Sequence, residues 1–202
     1  MEALAAVVQG KVQGAAAEAL LNSYGQERRG HVRELTGRLK ALGAIICERD
    51  VAKARARDAK LLAECGGTVK DTPRQDVLPR LTAGLLARLD SSGRGTLFAQ
   101  PRLADGRLMD QRYGHAWRVI VDATIAAPAA ASGLPVMALG DPSTLVHDGA
   151  RDRERDGVVA AWMQRHACHA AVVRPDHCVY GTATTAAQLD ALLAERHAAL
   201  AF

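Results

Sequence analysis

The chain has 202 residues, of which 49% are hydrophobic and 24% charged, with a formal net charge of +4. This is an ordinary soluble globular composition, and the length suffices to bury roughly 70% of the unfolded surface in one domain or two small ones. The charge excess lies within residues 1–60, where 11 Lys and Arg stand against 7 Asp and Glu, and aromatics are only 3%. Together these argue against a nucleic-acid binder, and no apolar run approaches the ~18 residues of a membrane span.

The opening MEALAAVVQGKV has neither a basic leader nor a small-residue cleavage site, so no secretory signal is expected and the expected compartment is the cytoplasm. Cys47, Cys65, Cys168 and Cys178 are scattered without a C-x-x-C and are expected to be reduced thiols.

Residues 2–62 read as helices. Val32, Leu35, Leu39 and Leu42 recur at three- and four-residue spacing and share one helical face, while Gly14 and Gly30 are expected breaks between helices. ERDVAKARARDAK, residues 48–60, alternates charge with alanine and reads as a solvated face. Residues 63–112 are dense in turn formers (GGT, DTPRQD, SSGRG, AQP, ADG), with LPRLTAGLLARL at 78–89 their one apolar stretch. They are expected to form a connecting segment along a surface.

From Tyr113 strands and helices alternate. WRVIVDA (117–123) and PVMALG (135–140) read as strands, and GVVAAWMQRHA (157–167) as a helix with Asp156 as its N-cap. HAAVVR (169–174) and CVYGTA (178–183) flank Arg174-Pro175-Asp176-His177, whose Pro-Asp pair predicts a tight turn and an antiparallel hairpin. Thr185-Ala186-Ala187-Gln188 fits a capping box that opens a final helix with Leu189, Leu192 and Leu193 on its apolar face. The expected fold class is therefore α/β: a helical segment (1–62), a connecting segment (63–112) and a thioredoxin-like domain (113–202).

Four blocks in order carry a resemblance: LLNSYGQERRGHV (20–32), PRQDVLPRLTAGLL (73–86), GTLFAQPRLADGRLMD (95–110) and AVVRPDHCVYGTA (171–183). They resemble the C-terminal portion of FAD-dependent aromatic hydroxylases of the 3-(3-hydroxyphenyl)propionate hydroxylase and phenol hydroxylase type. The resemblance implies a chain that starts inside the helix leaving a flavin domain and ends in a thioredoxin-like domain without a redox dithiol. Gly30 stands where that family usually has proline.

The intact family uses FAD and NAD(P)H to hydroxylate phenolic rings. For this chain alone no cofactor is expected, because no G-x-G-x-x-G offers a phosphate cradle. Asp105-Gly106, Asp148-Gly149 and Asp156-Gly157 do not match the family's later flavin motifs, so no catalytic or cofactor-binding residue is carried over. The expected role is the C-terminal part of a phenolic-ring monooxygenase, inactive alone; the alternative is a stand-alone, non-catalytic binding or oligomerisation module.

Tyr24, Glu27, Arg28 and Arg29 are the candidate interdomain interface, since a Glu beside two Arg suits ion pairing across domains. The expected partner is a flavin-binding domain in cis or in trans, with a homodimer as a further expectation and neither nucleic acid nor membrane. His166, Cys168, His169, His177 and Cys178 form a metal-like cluster, but H-x-C-H…H-C is not a zinc spacing and neighbouring strand residues face opposite ways, so no metal is expected.

Overall fold

The computed structural model describes residues 14–68, 77–122, 124–125, 134, 136–138 and 154–200. The expected helix over 2–13 and most of ATIAAPAAASG (123–133) lie outside the described residues. The elements are α1 (Gly14–Ile46), α2 (Val51–Glu64), α3 (Met109–Tyr113), β1 (Arg118–Val121), β2 (Val136–Ala138), α4 (Val158–Arg165), β3 (Ala170–Val173), β4 (Val179–Ala183) and α5 (Ala186–Leu200). They fall into two compact units, Arg28–Pro79 and Met1–Glu27 with Arg80–Phe202.

The first unit is helical. As described, α1 covers Gly14–Ile46, 33 residues without interruption, which overturns the break expected at Gly30. A helical glycine costs about 1 kcal/mol relative to alanine. The surrounding Glu27, Arg28, Arg29, Arg33, Glu34 and Leu35 are good helix formers and outweigh that penalty. α2 starts where Asp50 Oδ1 accepts from the amides of Ala52 at 2.9 Å and Lys53 at 3.0 Å. Within the unit, Arg57 donates to the Ile45 carbonyl and Arg38 to the Val77 carbonyl at 2.9 Å. Apolar packing is almost absent: between Arg28 and Thr68 no residue is buried. The face read from the sequence is largely open: Val32, Leu39 and Leu42 are exposed and Leu35 is half-buried, and beyond that stripe Ile46 is exposed as well.

The second unit is built on a sheet of order β2-β1-β3-β4. β1 and β2 are parallel, with Val119 beside Val136, whereas β1–β3 and β3–β4 are antiparallel. Alternate residues feed two cores, as strand geometry requires. Ile120, Ala171, Val173 and Val179 face a layer with Phe98, Leu103, Met109, Val159 and Met163. Val119, Val121, Val172 and Tyr180 face α5 through Leu189 and Leu192, with Ala87 beside them. Both faces are covered. Turn-rich residues 81–109 thus supply Leu81, Leu86, Ala87, Phe98, Leu103 and Met109 to buried positions. The fold is mixed α/β, with N-terminal helices, an antiparallel β1–β3–β4 core and a C-terminal helix.

The expected hairpin is present. The His177 amide donates to the Arg174 carbonyl at 3.0 Å, closing the turn, and the Arg174 amide donates to Cys178 O at 2.9 Å. His177 takes the left-handed position at φ 66° that completes such a three-residue loop. The α5 cap also forms, with Gln188 N donating to Thr185 Oγ1 at 3.2 Å. Gln188 reaches one residue further back than a capping box requires, since its Oε1 accepts from the Thr184 amide at 2.8 Å.

The cap expected of Asp156 is corrected. Glu154 fills that role, its carboxylate accepting from Val159 N and Ala160 N at 2.8 Å each. Gly157, in the left-handed conformation at φ 68°, occupies the residue before the helix. Asp156 instead accepts from Arg102 N at 2.9 Å and ties the 102–108 turn down.

Candidate functional site

Among the described residues of the second unit, a buried polar clamp holds the hairpin turn. Glu27 reaches from the first half of α1 to Arg174 at the end of β3, with side-chain exposures of 6% and 8%. Arg174 Nη1 donates to Glu27 Oε1 at 2.7 Å and Nη2 to Oε2 at 2.9 Å, a two-pronged pairing that suits the planar guanidinium. Nη1 also donates to the Leu85 carbonyl at 2.8 Å, and Leu85 N donates back to Glu27 Oε1 at 2.7 Å. On the other side Asp176 accepts from Nε at 3.1 Å and Nη2 at 2.8 Å. Burial works against the Arg174 charge, but Glu27 and Asp176 more than offset it and push its pKa above the ordinary arginine value.

Gly84 lets the chain pass Glu27. Its φ is +96°, and a Cβ there would lie 2.0 Å from Glu27 Cγ. The clamp therefore joins three stretches remote in sequence: α1, the 84–85 turn and the 174–176 turn.

Of the four residues read as an interdomain interface, only Glu27 is buried; Tyr24, Arg28 and Arg29 are exposed. Sequence reading did not single out Arg174, Asp176, Gly84 or Leu85 as site residues. The available signal was that Glu27, Gly84–Leu85 and Arg174–Asp176 fall in three different blocks of the resemblance.

A second cluster lies on the same turn. Arg118, 1% exposed at the start of β1, donates to His177 Nδ1 and to the Gly114 carbonyl at 3.1 Å. Asp110 Oδ1 lies 3.4 Å from both Arg118 Nη2 and His177 Nδ1.

The metal-like cluster is dispersed. His166 Nδ1 meets Ser92 Oγ at 2.8 Å, His169 Nδ1 meets Asp122 Oδ2 at 2.7 Å, and His177 faces Arg118. Among the described residues no group of three or more His, Cys, Asp and Glu is placed to hold a metal ion. Burial pushes the Cys168 thiol up to about 12, which leaves it protonated and unsuited to thiol redox chemistry at neutral pH.

FAD carries a pyrophosphate that the protein must hold. A pyrophosphate needs free amides at a helix N-terminus. Among the described residues, Asp50 occupies two such amides at α2, Glu154 two at α4, and Thr185 one, that of Gln188, at α5.

Residues 95–199, just over half of the chain, match the HcaD C-terminal domain. The chain belongs to that family. It is homologous to the C-terminal part of FAD-dependent aromatic hydroxylases. A probable NADH-specific resorcinol 4-hydroxylase of Rhodococcus jostii (strain RHA1) is 33% identical over 201 residues, covering 91% of this chain and 35% of the relative. A 3-(3-hydroxy-phenyl)propionate/3-hydroxycinnamic acid hydroxylase of Mycobacterium sp. (strain KMS) is 30% identical over 209 residues, covering 88% of this chain and 35% of the relative. The HcaD-family chain thus spans about a third of the length of these relatives.

Two solved structures share its fold. The flavin-dependent monooxygenase PieE, in complex with FAD and substrate, matches with a TM-score of 0.56 at 17% identity, over 97% of this chain and 42% of that one. Aklavinone-11 hydroxylase, with FAD and aklavinone, gives 0.50 at 21% identity, over 96% and 37%. Among the described residues, no helix is long and apolar enough to cross a membrane.

Proposed function

We propose that this chain acts as the non-catalytic C-terminal part of an FAD- and NAD(P)H-dependent aromatic-ring monooxygenase, working with a flavin-binding domain supplied in cis or in trans. One observation carries the reading. Two helices, of 33 and 14 residues, bury nothing from Arg28 to Thr68, yet leave Val32, Leu39, Leu42, Ile46, Val51 and Leu62 exposed. Helices in proteins gain most of their stability from packing an apolar face, and these exposed side chains lack that packing, which supports a partner. In the relatives, about two thirds of the length lies outside the matched region, and both solved structures contain FAD. A flavin-binding domain therefore suits the face. By the names of the relatives the substrate class is a phenolic ring.

In this reading residues 1–62 are the exit from the flavin domain, 63–112 a connector and 113–202 a thioredoxin-like domain. The sheet order β2-β1-β3-β4, with only β1 and β2 parallel among neighbours, supports the thioredoxin-like assignment. A cofactor bound to the partner carries the oxygen chemistry; this chain supplies packing and position.

The expected result for the purified chain is no retained flavin. FAD is added in excess and removed by gel filtration, and the visible spectrum is recorded. One equivalent of bound flavin would contradict the reading. Self-association through the helices, with no complex formed by a flavin-binding domain, would favour a stand-alone oligomerisation module instead.

A further inference from the structure

The hairpin turn holds a histidine between an arginine and a carboxylate, and the two cannot use it in the same protonation state. An arginine only donates hydrogen bonds, so the Arg118 contact requires Nδ1 of His177 to carry its lone pair. Asp110 only accepts, and its Oδ1 is buried without a hydrogen-bond partner 3.4 Å from that same Nδ1. Its other oxygen accepts from Gln100 Nε2.

We propose that His177 is a proton-operated joint. The neutral ring accepts from Arg118 through Nδ1; a proton taken from solvent onto Nδ1 breaks that bond and makes one to Asp110 Oδ1. Only hydrogen bonds are exchanged, and Arg118 keeps Gly114 O and the Asp110 charge as partners.

The groups around the ring set where the exchange occurs. Burial disfavours the charged ring most, followed in favour by Asp110 on α3, then against by Arg118 on β1 and His115 before it, with Asp176 of the turn in favour. The His115 ring stands 5.4 Å away, centroid to centroid. Residues 96–100 bring the uncharged Gln100, and Cys178 follows in the chain. The sum holds His177 below the ordinary histidine value.

The exchange has a route into the fold. The His177 carbonyl accepts from Phe98 N at 2.9 Å, and its amide closes the turn on the Arg174 carbonyl. Arg174 is the clamp residue. The joint at His177 and the clamp at Arg174 and Asp176 therefore lie within one four-residue stretch, 174–177, and the inference stands on this geometry whether or not a flavin partner exists.

The test is a nitrogen-15 histidine NMR titration of the full chain, with arginine side-chain signals followed in parallel. The expected tautomer at neutral pH carries its proton on Nε2. The expected midpoint lies below about 6.5, the ordinary histidine value, and the Arg118 signals move with it. Asp110→Asn removes the favourable charge and is expected to lower the midpoint further; His115→Gln is expected to raise it and guards against a variant that does not fold. A proton on Nδ1 at neutral pH would overturn the proposal. So would Arg118 signals that ignore the His177 titration, or a midpoint unmoved in both variants.

Discussion

Replacing Glu27 with alanine is expected to cost about 3–5 kcal/mol of folding stability, because it strands a buried guanidinium that has lost its two-pronged partner. Arg174 is 8% exposed and keeps only Asp176 and the Leu85 carbonyl in that variant. The Leu85 amide loses its acceptor as well. Urea denaturation monitored by circular dichroism reads the loss directly. Coulombic attraction is not the whole account, since desolvating both ions offsets much of it. The double variant Glu27→Leu with Arg174→Met, which removes both charges, is accordingly expected to recover most of the loss. A Glu27→Ala cost within about 1 kcal/mol, the range of a surface pair, would show that the clamp is open in solution.

The second large effect falls on Gly84. Alanine there would hold a left-handed φ of +96° and put its Cβ 2.0 Å from Glu27 Cγ and 2.5 Å from Oε1. The backbone strain costs about 1–3 kcal/mol by itself. Displacing Glu27 from Arg174 adds to it, so Gly84→Ala is expected to rival Glu27→Ala. The two share one mechanism and should not add. In a Glu27→Ala background the added methyl finds space, and only the strain remains. Additive costs in the same urea experiment would mean that Gly84 acts independently of the clamp.

These effects depend on contacts that no local pattern announces. Glu27 and Arg174 are 147 positions apart, and nothing in ERR or RPDH names the other. Turn chemistry, by contrast, acts over four residues, so Pro175-Asp176 made the hairpin legible and Thr185 the start of α5. Gly30 misled for a physical reason: a propensity penalty of about 1 kcal/mol is small beside a long run of good helix formers. Asp156 misled because Gly157, left-handed at φ 68°, moves the cap back to Glu154. Arg118 escaped notice because a strand-opening arginine reads as solvent-facing, whereas α3 and the hairpin turn bury it. The bare face of α1 was partly legible, as the spacing of Val32, Leu35, Leu39 and Leu42 shows a stripe but not what covers it, whereas the charge–alanine alternation of 48–60 reads as a solvated face and hides the exposed Val51 of α2.

Whether a flavin-binding domain covers that stripe can be measured directly. Hydrogen exchange should be followed at amides 32–62 in this chain alone and in a fusion carrying a flavin-binding region of a relative upstream, with bound FAD confirming that the added region is folded. Fast exchange is expected in the isolated chain, and protection by about a hundredfold or more in the fusion, since covering the face joins these helices to a larger cooperative unit. Exchange at Val32, Leu39, Leu42 and Leu62 that stays equally fast in an FAD-loaded fusion would contradict the proposal.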